Sequence, residues 1–181
     1  MARFTKQTML KEFEAMLQEM PYDSITVAEL ARRCEISPNT FYYHFGSLDD
    51  LLDDWLKAKM EAGLSAIPHS YTWKERLKYI LAVIRTHEQL LAHLSESQAR
   101  VHLEQYVFAA CRPYIRNTVE HWIGDSPVPP DRREELVRFM QYAFLGYFLR
   151  MLWDRIPDDI DQSVDWLYRQ FYLYAAQALE A

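Results

Sequence analysis

Residues Thr26 to Leu52 read TVAELARRCEISPNTFYYHFGSLDDLL, a stretch in which three helix starts follow one another at about ten-residue spacing. At the first start, the Thr26 side chain can accept from the third backbone N–H of the helix it opens while Glu29 reaches back, a capping box. Ala28, Leu30 and Ala31 are compact helix-forming positions behind it. Glu35-Ile36-Ser37 interrupts that helix. Ser37 is placed as an N-cap, with Pro38 at the first helical position, where its missing N–H would have had no partner. Gly46-Ser47 limits the second helix to about two turns, and Ser47 with Asp50 predicts a further capping box over Leu48 to Leu52.

Two short helices joined by a turn of about three or four residues form the unit that sets one helix into a DNA major groove. The residues Ile25-Thr26-Val27-x-Glu29-Leu30-Ala31, then Ile36-Ser37-x-x-Thr40-Phe41-Tyr42-Tyr43-His44-Phe45, then Leu51-Leu52 carry a specific likeness. In them the chain resembles the TetR (tetracycline-repressor-like) family of one-component bacterial regulators, whose first helix and following turn are also matched by Lys11 to Tyr22. The likeness covers roughly the first third of the chain and combines a linear motif with predicted helix boundaries. It implies that Thr40 and Tyr43 reach base edges and that Tyr42 and His44 touch phosphates. Asn39 has an amide suited to an adenine edge, and Thr26, Ser37 and Pro38 complete the candidate DNA-binding set. A second reading has Tyr42, Tyr43 and His44 capping a small core. A two-turn helix buries one face only, however, and Phe41 and Phe45 fill it.

The charge pattern is unusual for such a reader. Net charge is −6, acids outnumber bases in the first sixty residues, and no Lys or Arg lies between Ile36 and Leu48. Phosphate attraction must come from Arg3 and Lys6 on an N-terminal arm, from Arg32 and Arg33, from uncharged donors such as Thr26, Tyr42 and His44, and from backbone N–H groups at helix starts. Two positions depart from the family pattern. Glu35 stands where a turn glycine is usual, at a cost of about 1 kcal/mol if the backbone there is left-handed. Leu48 replaces a phosphate-directed lysine and is followed by Asp49, Asp50, Asp53 and Asp54, which favour the helix dipole but repel a DNA backbone.

Half of the 181 residues are apolar, enough for a substantial core. The start lacks the apolar stretch of a signal peptide and no apolar run approaches about 18 residues, so a cytoplasmic protein without a membrane segment is expected. Cys34 and Cys111 suit reduced, buried thiols better than a disulfide framework. Catalysis finds no support: there are four glycines, no phosphate-cradling loop, no His-Glu-x-x-His and no Gly-x-Ser-x-Gly. No metal or cofactor is expected, although tertiary contacts could bring a carboxylate to His93 and His102.

Beyond the motif, a helix from Ser47 is expected to reach Ala66, where Pro68-His69-Ser70 ends it. Thr72 with Glu75 forms one more capping box, after which Trp73, Leu77, Ile80, Ile84, His87, Leu91 and Leu94 define one continuous helical face. His87, the single polar member of that face, is a buried, hydrogen-bonded histidine, or marks a break in the helix that lets it face water, or is a pocket residue that contacts a small ligand. Val101 to Ile123 predicts another helix, kinked by Pro113 near Ala109, and Gly124 to Asp131 is a loop. Phe139 to Leu149 is apolar on all sides but for Gln141, and Val164 to Leu179 is nearly so. Such helices demand cover on more than one face, which a second subunit can supply through Phe144, Phe148, Tyr168 and Tyr172, with Gly146 permitting close approach. The alternative is a large monomer core. TetR-like proteins dimerise through their last two long helices.

The expected architecture is all-α: a three-helix DNA-binding domain over residues 1–47, a connecting helix over 48–66, and a larger effector-binding and dimerisation domain over 67–181. The expected function is a homodimeric regulator of double-stranded DNA, a repressor that reads a near-palindrome. It would respond to a small apolar or aromatic effector held among His87, Phe108, Cys111 and Tyr142. The alternative is a diverged TetR-like interaction module or co-regulator that acts through protein partners.

Overall fold

The computed structural model describes residues 2–125, 127–153 and 159–180, with the side chains at 2–4, 151–152 and 175–180 outside the description. Among the described residues the chain forms α1 (Ala2–Glu19), a 3-10 turn (Tyr22–Ser24), α2 (Val27–Arg33), α3 (Pro38–His44), α4 (Leu48–Ser65), α5 (Trp73–Arg85), α6 (Glu88–Ser95), α7 (Ala99–Ile123), α8 (Pro130–Trp153) and α9 (Ile160–Glu180), with no strand. The chain is all-α, as expected. Its compact units do not follow chain order: one comprises 1–65 with 87–106, the other 66–86 with 107–181.

In the first unit α1 presents Met9, Phe13, Met16 and Leu17, all fully buried, at the spacing of one helical face. Phe13 meets Tyr22 and Trp55 edge to face, each at 6.2 Å, and so joins α1 to the 3-10 turn and to α4. Leu51, Leu52, Trp55 and Leu56 bury the matching side of α4. The expected single helix through Leu94 is broken instead. Thr86 closes α5, His87 takes a non-helical φ of −122° ahead of α6, and the unit's α6 packs on α1. A break that lets His87 face water is one of the readings left open by the sequence; the apolar stripe itself does not mark it, because Leu91 and Leu94 continue its phase on the far side.

Local signals explain most boundaries. Thr72 and Glu75 form the complete reciprocal capping box that was expected. Thr26 accepts from the Glu29 N–H at 3.2 Å, but the Glu29 carboxylate does not reach back; it goes to Arg32 instead. Ser47 accepts from the Asp50 N–H at 3.1 Å, while the Asp50 carboxylate takes the N–H of Gly46 rather than that of Ser47. A Cβ at Gly46 would stand 2.7 Å from that oxygen, so a larger residue there would have to displace the Asp50 carboxylate.

In the second unit α9 packs against α5 and α8. Trp73 at the start of α5 lies against Phe144, Tyr168 and Phe171, with ring centroids 5.8, 5.8 and 6.1 Å away. Leu136, Val137, Met140, Leu145, Phe148 and Leu149 turn α8 inward. Pro113 sits inside α7. Beside it the buried Gln141 donates to the Phe108 carbonyl at 2.7 Å and accepts from Arg112 at 3.2 Å, which satisfies the one polar side chain of the apolar run. Ala175, Ala176 and Leu179 belong to the undescribed side chains.

Candidate nucleic-acid interface

The turn between α2 and α3 follows from its hydrogen bonds. The Ile36 N–H reaches back to the Ala31 carbonyl at 3.0 Å and the Glu35 N–H to Arg32 at 3.2 Å, the paired bonds of a Schellman ending. Such an ending needs a left-handed residue, and Glu35 takes it with φ 55°. The tight turn therefore survives without glycine.

Ser37 then starts α3, accepting from the Thr40 N–H at 3.1 Å, and the two hydroxyls lie 2.9 Å apart. Phe41 and Phe45 are buried and 5.7 Å apart, and they seat α3 by one face. That leaves Tyr42 at 57% and Tyr43 at 80% exposure, outside the core. Thr26, Ser37, Pro38 and Asn39 are exposed, and Thr40 and His44 half-buried. Seven of the eight candidates thus lie on α3 or its N-cap, Thr26 caps α2, and the aromatic pair projects to solvent.

The cations around this surface are engaged. Glu29 binds Arg32 at 2.9 and 2.7 Å and Arg33 at 3.2 Å, and Arg33 also forks onto Glu19 at 3.0 and 2.7 Å. Those guanidinium groups hold the Glu29 carboxyl down at about 2. Lys6 lies within α1, not on an arm; it pairs with Asp54 and stands 5.1 Å over the Phe45 ring. The side chain of Arg3 lies outside the described residues. Leu48 is half-buried at the start of α4, with Asp49 and Asp50 exposed beside it.

Further polar ties bind the reading head to α6 and the start of α7. His93 Nδ1 donates to the Leu17 carbonyl at 2.7 Å, the Gln98 N–H to the Asp23 carboxylate at 3.2 Å, and His102 Nδ1 to Asp53 at 3.0 Å. Tyr22 donates its hydroxyl to Asp49. The sequence left open that tertiary contacts bring a carboxylate to His93 and His102; His102 meets Asp53, whereas His93 takes a backbone carbonyl, and no sequence signal marked the Asp23–Gln98 or Tyr22–Asp49 pairings. Among the described residues no three His, Cys, Asp or Glu side chains are grouped to hold a metal.

The effector candidates are distributed. Phe108 and Tyr142 rings meet at 5.2 Å and Cys111 is half-buried in the same unit. His87 is exposed at the break before α6 and belongs to the first unit. Of the candidate dimer residues, Phe148 is buried within the chain, Phe144 lies against it at 6.1 Å, and Tyr168 and Tyr172 stack at 6.4 Å, with Tyr172 exposed. A separate open groove of about 310 Å³ runs along α8 and α9, where Phe139 stacks on Tyr174 at 4.2 Å and Tyr147 lies tilted against Trp166 at 5.6 Å. No described helix is long and apolar enough to cross a membrane.

Comparison with known proteins adds three findings. The family described as "Bacterial regulatory proteins, tetR family" matches residues 10–54, and "Transcriptional regulator C-terminal region" matches residues 71–171. No curated protein sequence matches the chain. Among solved structures the chain is similar to "Dihydroxyacetone kinase operon activator DhaS", with TM-score 0.65 and 15% identity over 97% of this chain and 96% of that one, a likeness of fold.

Proposed function

This chain belongs to the TetR family of transcriptional regulators, and from that membership we propose that it reads a near-palindromic operator as a homodimer and releases it when a small effector binds. The observation that carries the reading is the outward pair Tyr42 and Tyr43 on a helix whose other face is closed by Phe41 and Phe45. A short helix anchored in this way and flanked by Ser37, Asn39, Thr40 and His44 offers hydroxyl, amide and imidazole groups to base edges and phosphates. Two copies would address half-sites about one helical turn apart. The proposed division of labour is DNA reading by residues 1–47, connection by 48–66, and effector binding with dimerisation by 67–181. Repression is the proposed output. An effector weakens DNA binding only through differential affinity for the non-binding conformation.

A second reading is favoured by the ion pairs. With Arg32, Arg33 and Lys6 paired to carboxylates, the head has little positive charge to attract a polyanion. A co-regulator acting through a protein partner fits this pattern. One experiment separates the two readings: selection of bound fragments from a random DNA pool at near-physiological salt, with Tyr42→Ala in parallel. The expected outcome is a palindromic sequence enriched by the unmutated protein alone. Absence of enrichment by a folded dimer would overturn the operator reading in favour of the co-regulator.

A further inference from the structure

The first turn of α5, the later turns of α7 and the middle of α9 enclose a cleft of about 800 Å³ within the second unit. That is the size of a site for a small organic molecule. Its walls are aromatic. Tyr168 and Tyr172 lie within 17° of parallel, and Trp122 stands at 81° to Tyr168, so the cleft presents flat ring faces. Planar ligands match such faces by stacking and by edge contact.

Charge decides the second property of the ligand. No described residue lining the cleft is acidic, although the whole chain carries −6. Lys74, Arg76 and His121 all line it, with the neutral donors Asn117 and Thr118. Of the carboxylates on adjoining turns, Glu75 accepts the Thr72 N–H at 2.7 Å, and Asp165 pairs with Lys74 at 2.9 Å and offsets that cation, which leaves Arg76 as the cleft's uncompensated positive charge. Arg76 donates to the carbonyls of His69 and Tyr71 at 3.1 and 3.0 Å, neutral acceptors that leave its positive charge in place. Aromatic walls alone would also attract a cation. Here, however, the Lys74 ammonium already stands 4.5 Å over the Tyr168 ring, and Arg76 would repel a second cation.

We propose that this cleft binds a planar aromatic carboxylate, its ring against Trp122, Tyr168 and Tyr172 and its anion toward Arg76. The site is distinct from the grouping of Phe108, Cys111 and Tyr142. Its use as an effector site rests on the regulator reading given above; its ability to bind does not.

The test is calorimetric titration of the full chain, without DNA, with 2-naphthoate and with its neutral isostere 2-naphthamide. Saturable naphthoate binding is expected, at least about tenfold tighter than that of the amide, as a charge-assisted bond implies. Arg76→Gln should remove that preference. Because Arg76 also braces the Pro68–Tyr71 turn, Tyr172→Ala at an exposed wall position provides a second reading if the first variant does not fold: it should weaken acid and amide alike, and unchanged affinity for both would overturn the proposal. No saturable binding at millimolar naphthoate, equal affinity for acid and amide, or a preference retained in folded Arg76→Gln would each overturn the proposal. A separate DNA titration with naphthoate present reports on the effector role alone: bound naphthoate that leaves DNA affinity unchanged overturns that role and leaves the site standing.

Discussion

At Glu35 the backbone adopts φ 55°, and the two bonds of the helix ending hold it there. A side chain in this region meets its own backbone, a strain of about 1 kcal/mol or more that glycine avoids, partly offset by glycine's greater freedom when unfolded. Glu35→Gly should therefore stabilise the chain by about 0.5 kcal/mol, read as a higher urea midpoint at unchanged slope. The departure from the family pattern was legible in the sequence because one position in a short turn demands one conformation. The thiols behave differently. Burial raises both Cys34 and Cys111 to about 11, with Glu12 adding to the effect at Cys34. At pH 8 the reactive thiolate is then scarce, so both should alkylate with iodoacetamide far more slowly than free cysteine and speed up as pH approaches 11. The sequence marked these thiols as buried and reduced, whereas the structure makes them free and half-buried.

At the scale of elements, most helix ends came from nearest-neighbour chemistry. Thr72 with Glu75, Ser37 with Pro38 and the glycine at position 46 each act within four residues, so their signals stand in the sequence. The break at Thr86 and His87 does not: Leu91 and Leu94 continue the apolar stripe in phase, whereas the residues buried are Leu77 and Leu81 in α5 and Leu90 and Leu94 in α6, faces that one unbroken helix would set about half a turn apart. The relation of α3 to α4 carries a prediction. Leu48 opens α4 directly after the reading helix, where Asp49 and Asp50 are exposed. Leu48→Lys should add one phosphate contact, which raises DNA affinity and steepens the salt dependence by about one unit of log–log slope. Affinity measured from 50 to 200 mM salt checks this; an unchanged slope would place Leu48 away from the DNA.

On the scale of the whole molecule, the aromatic surface of α8 and α9 bears on assembly. Phe139 and Trp166 remain 48% and 49% exposed although each has a ring contact within the chain, and a Cβ added at Gly146 would meet open space. The proposed homodimer covers the face that carries Phe139 and Trp166, and leaves Tyr168 and Tyr172 to the cleft. Phe139→Asp should then shift sedimentation toward the monomer at micromolar concentration while leaving helical content intact; an undisturbed dimer would place the interface elsewhere. The sequence by itself determined the helical class, the reading motif and the outward direction of Tyr42 and Tyr43, because capping, periodicity and turn conformation are settled over a few residues. Tertiary structure alone decided that 87–106 folds with the head, that Glu19 and Glu29 occupy the arginines, that His102 meets Asp53 from 49 residues away, and that α5, α7 and α9 enclose a cleft without acids. These depend on which helix faces cover one another, and many pairings of apolar stripes satisfy the same periodicity until side-chain shape and charge select one.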